Sequence, residues 1–145
     1  MGKISNLFAG LVGAVALNVL HESLKNKRDT PRIDILGEQA LQKTVRYFGG
    51  NITGPDNIYN ATLAGDLFSN TIYYSWIASA KPGLLWPKAI AMGLLAGVGA
   101  VKLPGPLGLN PEPVAKTDGI KAITVGYYLF GALVTAFVAS AFNKK

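Results

Sequence analysis

The chain has 145 residues, half of them apolar and 15% charged, with a formal net charge of +6, no cysteine and one histidine. That length is one domain, and the apolar residues are bunched between compact charged stretches, the pattern of membrane spans and loops rather than of a soluble core. Disulfides, thiolate metal sites and cysteine nucleophiles are excluded, and a single imidazole offers no metal or haem set within the chain, so no cofactor and no metal is expected.

Residues 4–24 form the first candidate span, with Gly10, Gly13, Ala14, Ala16 and Leu17 making a small-residue, packable surface. Lys3 and the Ala14-Val15-Ala16 run also fit a signal peptide with a small-x-small cleavage pattern. The apolar run continues past that point, which favours a retained span over the signal peptide. It ends on Asn18-Val19-Leu20-His21-Glu22, three polar side chains in the last turn and a half of an apolar helix.

A polar stretch follows, within which residues 31–48 read as a short amphipathic surface helix. Thr30-Pro31 looks like an N-cap with proline at the first helical position. Ile33, Leu36, Ala40, Leu41, Val45 and Phe48 take one face, while Arg32, Gln39, Gln42, Lys43 and Arg46 take the other, and Gly49-Gly50 stops the helix. It serves either as a membrane-surface or partner-docking helix or as a connector packed on the bundle. Residues 51–60 read as turn and loop.

The second candidate span, 61–80, contains Asp66, Ser69 and Asn70. A mid-bilayer charge costs about 2.5–3.5 kcal/mol on insertion scales, and much less one turn inside the headgroup region. Tyr73, Tyr74 and Trp76 supply interfacial or helix-contact aromatics. Lys81-Pro82-Gly83 turns the chain into a third span, 84–103, where Ala89, Gly93 and Gly97 fall four apart as a small-xxx-small face. The proline-rich run from Pro104 to Pro113 is expected to be rigid, extended and interfacial. The fourth span, 120–142, is uncharged after Lys121 for about the length of a bilayer core.

The expected fold is thus an all-helical integral membrane protein, a four-span bundle with a short amphipathic surface helix. Nine basic residues on or flanking the loops 25–60 and 104–119, Lys102 and Lys121 among them, against five on the other side, Lys3, Lys81, Lys88, Lys144 and Lys145, place those loops in the cytoplasm of an inner or plasma membrane. The run from Leu7 to Leu17 is echoed by Leu94 to Leu103, and Ile72-Tyr73-Tyr74 by Gly126-Tyr127-Tyr128. These echoes raise the option of two parallel two-span repeats against that of low-complexity coincidence.

With the spans so drawn, Asn18, His21 and Glu22 come level with Asp66, Ser69 and Asn70, and Lys102 arrives at the same height. The candidate ligand-binding residues are therefore Asn18, His21, Glu22, Asp66, Asn70 and Lys102. Two carboxylates, an imidazole and a lysine suit acid-base chemistry or binding of an ion or headgroup. The competing reading is a polar lock, with Glu22 or Asp66 paired to Lys102 or Lys121. No phosphate loop, dinucleotide fingerprint, nucleophile elbow or two-histidine zinc helix occurs, so catalysis is the least favoured reading. The leading expectation is a structural or accessory membrane subunit acting by helix packing, as a homo-oligomer or beside a larger membrane partner. Its alternative is a binding protein, transporter or enzyme for an ion, small molecule or lipid headgroup. The bilayer is the expected partner, and no recognition motif accompanies the charge to suggest nucleic acid.

Overall fold

The computed structural model describes residues 2–143, so Lys144 and Lys145, which entered the charge balance, lie outside the described residues. The described residues form helices and no strands. In order come α1 (Lys3–Leu24), α2 (Ile33–Tyr47), α3 (Pro55–Ala78), a 3-10 turn (Pro82–Leu84), α4 (Leu85–Lys102), α5 (Glu112–Ala115) and α6 (Asp118–Asn143). Among the described residues three helical segments are long and apolar enough to cross a membrane: α1, α4 with its preceding turn, and α6. Asp56, Asp66 and several amides hold α3 below that standard despite its 24 residues.

Small residues set the packing. α1 lies against both α3 and α6, and α4 lies along α6. Ala89, Gly93 and Gly97 are all buried, and the two glycines face α6, where a Cβ on Gly97 would stand 2.6 Å from Val125 Cα and one on Gly93 2.9 Å from Leu129 Cα. Those distances lie well inside carbon–carbon contact, so only glycine permits this approach. The α3 seam is held differently: Tyr74, fully buried, donates its hydroxyl to the Tyr128 carbonyl at 2.8 Å, and Tyr73 donates to the Met92 carbonyl at 2.8 Å.

The ends of two helices differ from the expectation. α3 starts at Pro55, so Gly54-Pro55-Asp56 is a helix start and not a loop: glycine at φ 90° turns the chain, proline takes the first helical position and Asp56 faces the positive helix end. Thr30 does not cap α2. Its hydroxyl donates to the carbonyls of Leu24 (2.7 Å) and Lys27 (2.8 Å), closing the C-terminus of α1, and α2 begins only at Ile33. The stop at Gly49-Gly50 is a Schellman closure, with Gly49 at φ 86° and the Gly50 amide donating to the Val45 carbonyl at 3.0 Å.

The proline-rich run folds back over α2. Asn110 donates its backbone N–H to Gln39 Oε1 at 2.9 Å, Lys43 Nζ donates to the Leu107 carbonyl at 2.7 Å, and the Arg32 amide donates to the Pro113 carbonyl at 2.8 Å. The C-terminal ends of α1 and α4, the N-terminal ends of α3 and α6, and α2 therefore gather at one end of the molecule.

Candidate functional site

Three helices build a polar centre at that end. From α1, Asn18 turns its amide back to the Ala14 carbonyl at 2.8 Å, and His21 is 1% exposed, its ring edge-on to Tyr127 with centroids 6.1 Å apart. Glu22 faces the first turns of α3, accepting the Tyr59 hydroxyl proton and holding Lys25 Nζ at 2.8 Å. Lys25 Nζ also donates to the Tyr59 oxygen at 3.2 Å, so the three groups latch the end of α1 to the start of α3.

α2 contributes a residue outside the six expected at the site. Asp34, 7% exposed, accepts two hydrogen bonds from Arg32, at 2.9 Å and 2.8 Å, and its Oδ1 lies 3.3 Å from His21 Nε2. Burial acts to raise the Asp34 carboxyl, but the approach of His21 and the Arg32 bonds and charge outweigh it, and the group sits well below the usual carboxylate range. Four residues away, Glu38 is pushed up instead, by burial first and then by the Asp34 charge.

α3 closes the centre with Thr62 and Asp66. α2 can lie this close because of Gly37, where a Cβ would fall 2.7 Å from Thr62 Cγ2 and 3.3 Å from Asp66 Oδ2. Between the helices is a chamber of about 10 Å³ bordered by Asn18, His21, Glu22, Asp34, Thr62 and Asp66. That is room for one water, and His21 Nε2 and Thr62 Oγ1, both buried without an aligned protein partner, are the groups such a water would satisfy.

On its far side Asp66 borders a second, much larger space. A cleft of about 670 Å³ runs between α3 and α4 under α2 and the proline-rich segment. Leu36 and Ala40 of α2, Leu95, Val98 and Gly99 of α4, and Leu103 and Leu107 beyond it make it mainly apolar, and Asp66, Tyr73, Tyr128 and Lys102 are its polar-bearing lining. Its volume falls within the range of about 300–1,000 Å³ usual for small-molecule sites.

Of the six residues expected to share a site, Asn18, His21, Glu22 and Asp66 meet at the chamber, while Asp66 and Lys102 both border the cleft. Asn70 is half-buried one turn further along α3 and borders neither space. The polar lock pairs different residues from those expected. Glu22 binds Lys25 and Tyr59, Lys121 lies 3.8 Å from Asp118, and among the described residues Lys102 makes no ion pair. Asp34, Tyr59 and Thr62 are the missed members. The Arg32-x-Asp34 pair beside a helix start was the available signal for the first, and the i, i+3 and i+7 spacing of Tyr59, Thr62 and Asp66 for the others.

Chemically the centre can exchange protons and bind cations through its carboxylates and imidazole. Among the described residues no three His, Asp or Glu side chains converge as a metal-ligand set. The chain matches no family model, no curated protein and no solved structure.

Proposed function

We propose that this is a four-span membrane protein that binds one membrane-borne amphiphile in the cleft between α3 and α4, its polar group directed at Asp66. The observation that carries the reading is the cleft itself, an apolar space of about 670 Å³ with a carboxylate in its lining.

The fourth crossing would be α3. At 24 residues it is about 36 Å long, enough for a hydrocarbon core of about 30 Å. It runs beside α1 from the Tyr59–Glu22 contact to the close approach of Gly10 to Ser75. Phe68, Ile72 and Trp76, four apart, form an exposed apolar stripe suited to lipid, while Thr62 and Asp66 point inward. The α1–α3 and α4–α6 pairs would then form two hairpins, with Gly10 of α1 against α3 and Gly93 and Gly97 of α4 against α6, an arrangement compatible with a parallel repeat. α2, with Tyr47 and Phe48 exposed beside Lys43 and Arg46, suits the cytoplasmic headgroup region as an amphipathic helix. A retained α1 fits its place between α3 and α6.

The accessory-subunit reading draws less support. Gly10, Gly13, Gly93, Gly97 and Gly131, the glycines best suited to receive a partner helix, all abut helices of the same chain.

Native mass spectrometry of protein gently extracted from its own host membrane tests the proposal. One retained hydrophobic small molecule per chain is expected, and it should be lost in Gly99→Phe. Gly99 borders the cleft, and a Cβ there meets only Leu103 Cδ1, at 3.6 Å, so the larger side chain fills the cleft without prising the α4–α6 seam. A stoichiometric second protein with no retained small molecule would favour the accessory subunit instead.

A further inference from the structure

We propose that the cleft selects an amphiphile bearing an ammonium group, with Asp66 as its counter-ion. This rests on the reading of the cleft as a binding site and adds the chemical class of its occupant.

At this end of the molecule Glu22 is paired with Lys25, Asp34 with Arg32, and Asp118 lies 3.8 Å from Lys121. Asp66 has no cation within ion-pair reach and no hydrogen-bond donor among the described residues, and it borders an apolar cleft. A carboxylate in such surroundings is costly unless a positive group joins it.

The neighbouring aromatics point the same way. Tyr73 commits its hydroxyl to the Met92 carbonyl and Tyr128 lies across the cleft on α6, so two tyrosines border the space that Asp66 borders. A carboxylate accompanied by aromatic rings is the chemistry that holds ammonium groups, through charge and cation–π attraction. The remaining wall is aliphatic and accepts a tail. Lys102, exposed at the α4 end, is the one cation in the lining. It suits the phosphate of an ammonium-bearing phospholipid and is not needed by a simple alkylamine, so the ammonium could come from either source.

Binding to the purified full chain in neutral maltoside micelles, read by native mass spectrometry, separates the possibilities. The probes are dodecylamine, dodecanol, dodecanoate, phosphatidylethanolamine and phosphatidylglycerol. The expected result is preference for an ammonium-bearing probe over its uncharged or anionic counterpart by about tenfold, the worth of one charge-assisted bond. Asp66→Asn should remove the preference while dodecanol binding persists, and Asp66→Glu should keep it. Dodecylamine as the best binder identifies a free amine as the ligand class, and phosphatidylethanolamine a lipid headgroup. Equal binding of dodecanol and dodecylamine, or strongest binding of dodecanoate, overturns the inference and leaves the cleft reading standing. Binding of no probe, or binding unaffected by Gly99→Phe, overturns both. The wild-type ranking decides the matter even where Asp66→Asn does not fold.

Discussion

The α4–α6 seam offers a sharp test of the packing. In Gly97→Ala the new methyl would meet Val125 Cα at 2.6 Å, a backbone atom that no rotamer change can move. Carbon pairs rest at about 3.5–4.0 Å, so the two helices must part by roughly 1 Å. Overpacking of this kind costs about 1–3 kcal/mol, and the helix-propensity gain from glycine to alanine returns up to about 1 kcal/mol. With a mid-range clash cost of about 2 kcal/mol, a net loss of about 1 kcal/mol is expected. Gly126→Ala is the matched control on α6, because a Cβ there meets nothing within 4 Å. It gains the propensity without the clash and should be neutral or slightly stabilised. Thermal unfolding in maltoside, followed by the fluorescence of Trp76 and Trp86, compares the two. A Gly97→Ala protein as stable as wild type, or equal losses in both variants, would refute this account of the seam.

Two further outcomes follow from the polar end. Because the Asp34 pKa is lowered in the folded state, its contribution to stability is present above the ordinary carboxylate value of about 3.9 and is lost as pH falls through the depressed value. Asp34→Asn should therefore be less stable than wild type at neutral pH, with the gap narrowing on acidification below about pH 4; a pH-independent gap in unfolding temperature would show that the charge is not the cause. Cysteines replacing Lys43 and Asn110 should react with an impermeant maleimide from one side of sealed vesicles, since α2 and the proline-rich segment are hydrogen-bonded together, and one replacing Ser79 from the other. Labelling of all three from the same side would rule out α3 as a crossing.

The long apolar helices and the Ala89-Gly93-Gly97 face were legible in the sequence because lipid-compatible runs and four-residue spacing are local patterns. The errors arose where one residue can serve two neighbours. Thr30 stands between α1 and α2, and its sequence position suits an N-cap of the helix that follows, whereas its hydroxyl closes the one before. Gly54-Pro55-Asp56 carries turn and helix-start signals together, and the six residues after Gly54 belong to α3 and not to the loop that the turn signals suggest.

The site was half legible. Helical spacing brought Asn18, His21, Glu22 and Asp66 to one level, but that Asp34 turns into the same chamber depends on how α2 folds back over α3. That path is set by Gly37 and by the Arg32–Pro113 and Gln39–Asn110 bonds, contacts between residues far apart in the chain. The cleft could not be read from any one segment, since it is what remains between α3 and α4 while each packs more extensively on another helix.

The most direct test of the cleft as a binding site is photo-crosslinking in membranes with a lipid carrying a photoreactive group near the headgroup end of its tail, followed by peptide mapping. Labelling concentrated on Asp66 to Tyr73 and on Leu95 to Leu103, and suppressed by Gly99→Phe, is the predicted result. Labelling spread evenly over the outward faces, at Leu11 and Val15 of α1 or Phe130 and Phe137 of α6 as much as at the cleft, would contradict it.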